Sequence, residues 1–194
     1  MLFKFTVKLK KGAGIKRIEA LEAKLADKIS LNKYVGMGFA RTLQTHFKAL
    51  DKRPNKRGWR RLGFWRGIAQ ATSFLSADEK GATVSISGTE GPKFVAKVFG
   101  ARVAPKGGKK FLAIPAIEAR YGVMPSTLPQ GELEFRRTRK GGLLGKIRAD
   151  GSMTVHYWLV RSANIPRDAD ALPTSDAVLE DAEKAITTYL KKGK

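Results

Sequence analysis

The sequence contains no cysteine. This absence excludes disulfides, zinc–cysteine centres, iron–sulfur clusters and thiol catalysis. Long apolar runs are also missing. No stretch approaches the ~18 apolar residues of a transmembrane helix, and the N-terminal sequence has no apolar run of signal-peptide length. We therefore expect a protein with no membrane partner, made and kept in the cytosol or built into something assembled there.

Acidic residues are scarce relative to basic ones. Asp and Glu total 17 against 38 Lys and Arg, which gives a formal net charge of +21 and a sequence pI near 10.4. A field of this sign attracts nucleic acid, acidic membranes or acidic proteins. The 194 residues are 42% hydrophobic, which suffices for a buried core. We expect residues 1–194 to form one domain.

Little in the sequence supports catalysis. The only histidines are His46, on a helical pattern, and His156, in a strand pattern. A hydrogen-bonded or interfacial histidine is the favoured interpretation of both. Glu132 and Glu134 form the one E-x-E pattern, and a solvated strand face is favoured for it over a metal pair. A nuclease is disfavoured because two-metal chemistry needs several acids. We expect no enzymatic activity, no cofactor and no metal.

The N-terminal residues 3–10 alternate between apolar and polar. Phe3, Phe5, Val7 and Leu9 share one face, which predicts a half-buried strand. Such a strand could add to the sheet edge of a neighbouring subunit as an arm formed by residues 1–11. Equally, it could complete the sheet of its own subunit.

Helical spacing of apolar residues dominates both ends of the remaining chain. Residues 15–50 predict one long broken helix or two helices, and residues 174–191 predict a C-terminal amphipathic helix. Gly36 and Gly38 are interpreted as close-packing points between helices. They do not form a phosphate cradle, because the Gly-Lys-Ser/Thr ending of a P-loop is missing.

Strand patterns fill the middle of the chain. Residues 93–103 and 111–114 predict two strands joined by a turn at 106–109, and Asp150-Gly151 predicts a hairpin. In the strand after that hairpin, Tyr157 is placed on one face and His156 and Trp158 on the other. The fold class is therefore predicted as α+β. An antiparallel sheet packs with a long N-terminal helix, or two helices, and with a C-terminal helix.

Residues 52–66 form the sharpest feature, which we call the basic segment. It contains seven bases and no acid, with Trp59, Phe64 and Trp65 interleaved. This composition fits a polyanion groove that stacks bases, a protein–protein hot spot, or a solvated loop anchored by its aromatics. The residues predicted to face a polyanion or acidic partner are Arg53, Lys56, Arg57, Arg60 and Arg61. Trp59 and Trp65 join Phe3, Phe5 and Val7 as predicted interface residues.

A second basic run lies at 136–140 and ends in a Gly-Gly pair. It is interpreted as a mobile loop between strands that could line a pore, touch phosphate, join a neighbouring subunit or be solvated. The residues predicted to face a polyanion here are Arg136, Arg137, Arg139 and Lys140.

Five stretches together resemble the phage virion morphogenesis proteins, the tail-completion or neck proteins of tailed phages and prophages. They are HFKALDKRPNKRGW (46–59), FWRGIAQAT (64–72), GATVSIS (81–87), FLAIPAIEARYG (111–122) and HYWLVRSANI (156–165). A proline-containing passage and an amphipathic helix then close the chain. The resemblance covers residues 30–190 and rests on structural landmarks rather than active-site residues.

The resemblance implies a small α+β structural subunit without catalytic residues. It would form a homo-oligomeric ring, for which a hexamer is one candidate, at the head–tail junction of a virion assembled in the host cytoplasm. Its partners would be other neck, connector and tail-tube proteins, with packaged DNA in the channel. The main alternative is a sequence-nonspecific nucleic-acid-binding protein, which would bind short duplex DNA in a salt-dependent manner.

Overall fold

The computed structural model describes residues 13–55, 57–139 and 141–191. Its helices are α1 (Ala13–Ala26), α2 (Lys28–Asp51), α3 (Phe64–Ala71), α4 (Glu90–Phe99) and α5 (Ser175–Lys191). Its strands are β1 (Thr72–Ala77), β2 (Ala82–Ile86), β3 (Ala101–Val103), β4 (Leu112–Pro115), β5 (Glu134–Thr138), β6 (Gly141–Ile147), β7 (Met153–Val160) and β8 (Ala163–Ile165). The fold is α+β with antiparallel pairing, as the sequence predicts.

Chain contacts divide the structure into two compact units that interleave along the sequence. The first comprises residues 13–43, 72–85 and 173–191, and the second comprises 44–71 and 86–172. Helix α2 begins in the first unit and ends in the second. The predicted arm at residues 1–11 lies outside the described residues.

The long N-terminal helical region is two helices, one of the two predicted arrangements. The break falls at Asp27, whose Oδ1 accepts a hydrogen bond from the backbone N–H of Ser30 at 3.0 Å. This contact caps the first turn of α2 and satisfies one N–H that has no partner within the helix. Asp27 was not predicted as a cap from the sequence.

In the first unit, α5 packs on the N-terminal half of α2. Thr42 Oγ1 donates to Asp181 Oδ2 at 2.7 Å, and the rings of Tyr34 and Tyr189 lie 5.0 Å apart. The C-terminal helix is therefore confirmed, with its position against α2 fixed by polar and aromatic contacts.

The core of the second unit is aromatic and lies where α2 ends. Phe47 and Ile68 have no exposed surface. The Phe47 ring stacks on Trp65 at 5.8 Å and meets Phe94 edge-on at 5.4 Å. These contacts join α2 to α3 and α4.

The strand predicted over 93–103 is wrong. Residues Glu90–Phe99 form α4, and only Ala101–Val103 is a strand, which pairs with β8 and not with β4. The apolar residues of this stretch fit both periods, because Phe94 and Val98 are also one helical turn apart. Pro92 sits in the first helical turn, where its missing N–H costs nothing. Glu90 pairs with Lys93 at 2.7 Å in that same turn.

The main sheet has four strands in the order β4–β7–β6–β5. The predicted Asp150-Gly151 hairpin is confirmed between β6 and β7. Arg148 N–H donates to Ser152 O at 2.8 Å, and Gly151 has a φ of 77°, where glycine is favoured. The sheet has two edges, β4 and β5.

The two glycines of α2 are both close-packing points. Gly38 faces α5, as predicted for a helix–helix contact, whereas Gly36 faces the β1–β2 hairpin and not a helix. A Cβ atom at Gly36 would lie 2.5 Å from Ala82 Cβ and 3.0 Å from the Phe74 ring. The hairpin can therefore approach α2 only where a side chain is missing.

We expect Gly36→Ala to destabilise the protein. Overpacking costs about 1–3 kcal/mol, and the gain in helix propensity returns only ~1 kcal/mol. The free energy of unfolding, measured by urea denaturation, should fall. Gly38→Ala is the matched control, since its Cβ would lie 3.1 Å from Ala185 Cβ, and it should lose less. A larger loss at Gly38 than at Gly36 would contradict this packing.

Candidate interaction surfaces

The basic segment is fastened to the chain by its own arginines. Arg57 Nη1 donates to Pro115 O at 3.3 Å, and Arg60 Nη2 donates to Tyr121 O at 2.6 Å. The backbone N–H of Arg60 also donates to Glu118 Oε1 at 2.7 Å. Both arginines remain exposed. They therefore combine a structural role with a charge that solvent or a partner can reach.

Two further arginines of the segment bind near the end of α2. Arg61 Nη1 donates to the backbone oxygens of Asp51 and Lys52 at 3.3 and 2.9 Å, which are carbonyls that a helix end leaves without partners. Arg53 pairs with Asp170 at 2.6 Å. That pair is more than half exposed, so its net contribution to stability is small.

The aromatics of the segment anchor it. The Trp59 ring meets Tyr121 edge-on at 5.5 Å, and the Arg57 guanidinium lies 4.8 Å from the Trp59 ring centre. Trp65 stacks on Phe47 with its ring 15° from parallel. Both tryptophans are half-buried, and their role in a subunit interface stays a prediction.

A cleft of about 950 Å³ adjoins the segment. Its walls include aromatic side chains and charges of both signs. The cations are Arg53, Arg61, Lys93, Lys97 and Arg167, and the acids are Asp51, Glu90, Asp168 and Asp170. Because salt bridges join two of these cations to two of these acids, the lining has no strong preference for an anionic ligand.

The second basic run is not wholly a loop, contrary to the prediction. Arg136 and Arg137 lie in β5, and all five residues of that strand are exposed. Since successive strand side chains point to opposite faces, these two arginines cannot both meet the same flat partner. Arg139 comes after the strand and is exposed. Lys140, like Lys56 of the basic segment, lies outside the described residues.

A β-bulge in the main sheet displaces His156. Leu144 of β6 pairs with Tyr157, whereas the next residue, Gly145, pairs with Val155, so His156 has no partner on β6. The extra residue interrupts the alternation of faces. His156 and Tyr157 are consequently both buried although they are neighbours. The predicted placement of Tyr157 and His156 on opposite faces of a regular strand is therefore wrong.

The displaced His156 joins a cluster of charged side chains. Arg120 Nε donates to His156 Nδ1 at 3.0 Å, and Arg120 Nη2 pairs with Glu132. Lys146 Nζ lies 3.7 Å from the same Glu132 oxygen. Glu132 is thus an ion-pair partner with a 22% exposed side chain, not the solvated residue that was predicted. Neither Arg120 nor Lys146 was identified from the sequence as a member of any site.

The cluster holds His156 in its neutral form. Burial lowers the pKa of His156, and the positive charges of Arg120 and Lys146 lower it further, while Glu132 opposes them. The hydrogen bond from Arg120 lowers the pKa of Glu132. His46 Nε2 lies 2.9 Å from Asp170 O. Both histidines are therefore hydrogen-bonded, as predicted.

Exposed apolar side chains outnumber buried ones. In the described ranges, nine apolar residues are buried, whereas fifteen large apolar residues are exposed. Single exposed apolar residues are ordinary, but contiguous ones mark interaction sites. Two contiguous sets stand out here, one on the main sheet and one on α1.

The first set is a face of the main sheet, which we call the open face. Directly paired residues share a face, so the register places eight apolar side chains together: Leu112, Ile114, Leu143, Ile147, Met153, Val155, Trp158 and Val160. None of the eight is buried, and Trp158 is 49% exposed. The opposite face is covered by residues 116–133, where Val123 O accepts the Tyr157 hydroxyl at 3.0 Å.

The second set, which we call the apolar stripe, runs along α1 into the first turn of α2. It consists of Ile18, Leu21, Leu25 and Ile29, which are 57, 41, 49 and 50% exposed. Spacings of three and four place these side chains on one side of the helix. An apolar stripe of this kind normally packs on a core, and here it is exposed.

The remaining predicted interface residues, Phe3, Phe5 and Val7, lie outside the described residues. Across the ranges that are described, no three His, Asp or Glu side chains are grouped so that they could hold a metal ion. The helices within those ranges are also too short or too polar to cross a bilayer.

Comparison with known proteins gives no relative. No family model, no curated protein and no solved structure matches this chain.

We expect stability to fall as the pH drops below about 6.5, the pKa of an unfolded histidine. Because the folded pKa of His156 is lowered, the unfolded chain binds the proton more readily and folding loses free energy in acid. Melting temperatures measured between pH 5 and 7.5 test this.

His156→Gln keeps an oxygen that can accept from Arg120 but cannot titrate, so the pH dependence between pH 5 and 7 should shrink. His46→Gln, which leaves the cluster intact, should retain it. A His156→Gln variant with the full pH dependence of the parent would contradict this assignment.

Proposed function

We propose that this chain is a structural subunit of a tailed-phage virion, a tail-completion or neck protein that works as a homo-oligomeric ring at the head–tail junction. The observation that carries the proposal is the excess of exposed over buried large apolar side chains. A chain with this balance exposes contiguous apolar area that an assembly would bury. The resemblance of its sequence landmarks to virion morphogenesis proteins supports the identity of that assembly.

The charge of the chain supports a place beside DNA. A net charge of +21 suits a ring whose channel holds packaged duplex, which carries one negative charge per ~1.7 Å of axis. Arg57, Arg60 and Arg61 are the members of the basic segment that we assign to this field. They are exposed and fixed in place by hydrogen bonds, so little side-chain freedom is lost when a phosphate binds them.

Removing the gene from its phage should leave separate heads and tails, because a neck subunit is needed to join them. Electron micrographs of the lysate and mass spectrometry of purified particles provide the measurement. Supplying the chain in trans should restore joined particles that contain it. Joined, infectious particles formed without the chain would overturn the proposal.

Replacing Arg57, Arg60 and Arg61 together with Gln should reduce DNA retention in particles. Gln can still donate to the carbonyl oxygens, so the loss reports charge. Loss of three phosphate contacts would flatten the dependence of log K on log salt by up to about 3 for duplex binding in solution.

The matched variant replaces the same three residues with Lys, which keeps the charge and loses the forked geometry. It should retain most of the DNA. Equal loss in the Lys and Gln variants would show that the arginines act by holding the segment in place and not through their charge. Sub-micromolar duplex binding by isolated subunits that never assemble would favour the nucleic-acid-binding alternative.

A further inference from the structure

We propose that the apolar stripe of one copy docks on the open face of the next copy, so that the two surfaces together form the subunit contact. The inference rests on the proposed function, because it names the contact by which copies of this chain assemble. It assigns the occupant of each surface as a second copy of this chain.

Each surface lacks a partner that its chemistry requires. An antiparallel sheet that faces water on one side normally places polar residues there, yet the open face carries eight apolar side chains and only two charged ones from its strands. The stripe likewise exposes four large aliphatic side chains. A helix with one apolar side and a sheet with one apolar face are the two layers that ordinarily pack together.

Both surfaces are exposed in the same chain, so a single copy does not cover its own open face. Docking between copies is head to tail, because the surface that each copy offers differs from the surface that it receives. Such contacts close into a ring when the rotation between copies permits. The geometry therefore leads to the same kind of assembly that the exposed apolar area requires.

The dimensions of the two surfaces agree. A helix of 14 residues is about 21 Å long, and the eight residues of β7 extend about 27 Å. One such contact is smaller than the ~800 Å² per partner of a typical stable interface. In a closed ring each copy makes two contacts, one as donor and one as acceptor, and breaking the ring requires two contacts to open.

The few charges on these surfaces are complementary. Glu22 is exposed and lies beside the stripe between Ile18 and Leu25 on the same side of α1. On the open face, the strand residues carry one cation, Arg136, beside one anion, Glu134. A stripe carboxylate meeting the Arg136 guanidinium would set the orientation of the helix on the sheet.

The experiment uses the full-length chain, treated with nuclease and held at about 0.5 M salt, where bridging by nucleic acid is screened. Sedimentation and native mass spectrometry measure the oligomer. The stripe variant is Leu21→Lys with Leu25→Lys, and the face variant is Ile147→Lys with Trp158→Lys. All four positions are exposed, so the melting temperature should not change.

The parent chain should form a closed oligomer, and each variant alone should be monomeric, with self-association weakened at least tenfold. The matched controls are Leu179→Lys and Phe99→Lys. These positions are 62 and 75% exposed but lie outside both surfaces. The controls should assemble like the parent.

Mixing the two variants gives the sharpest test. The intact stripe of the face variant can dock on the intact open face of the stripe variant, and no further contact is then possible. An equimolar mixture should therefore form a heterodimer and stop there. A mixture that stays monomeric, or one that forms the full ring, overturns the proposal.

A charge exchange tests the orientation. Glu22→Arg and Arg136→Glu should each weaken association, and the double variant should recover most of it. Recovery supports the pairing, and an additive loss overturns it.

The failure of this inference can be told apart from failure of the proposed function. If the stripe and face variants assemble like the parent, the docking is wrong while the subunit still assembles by another surface. If removal of residues 1–11 abolishes assembly and neither double variant does, the N-terminal arm is the contact and the docking is again wrong. The gene-removal experiment in phage tests the function independently of both results.

Discussion

The charged cluster around Arg120 is the interaction on which the second unit depends. By binding His156 at the bulge and Glu132 near β5, Arg120 holds residues 116–133 across one face of the main sheet. A sheet needs cover on its apolar faces, and the chain supplies this cover on one side. The opposite face keeps its eight apolar side chains uncovered, so the cluster determines indirectly where a partner must bind.

The α+β class and its helices can be predicted from the sequence because periodicity is a local property. The stripe at 174–191 predicts α5, and the two-helix alternative for 15–50 is correct because Asp27 caps the second helix. Where a stretch fits two periods, as at 93–103, the tertiary setting decides, and the pattern alone gave a strand. The bulge at His156 has no local signature, since it depends on the register between β6 and β7.

The candidate surfaces were only partly predictable for the same reason. Net charge and the arginines of the basic segment are visible in composition. That the Arg57 and Arg60 guanidinium groups bind carbonyl oxygens more than 50 residues away is not. The open face was hidden, because assigning Tyr157 and Trp158 to faces requires knowing that the alternation is interrupted between Val155 and Tyr157. Exposure of the apolar stripe likewise depends on which surfaces the rest of the chain fails to cover.

One edge of the main sheet is closed to further strands. Proline at 115 has no N–H to offer along β4. The N–H of Ala116 binds His156 O, so the carbonyl of Pro115 points away from β7, where Arg57 occupies it. Unwanted strand addition, the usual route from exposed sheets to amyloid-like fibres, can then begin only at β5, whose arginines repel one another. A protein that must accumulate unassembled before its particle is complete is thereby kept from polymerising through its sheet.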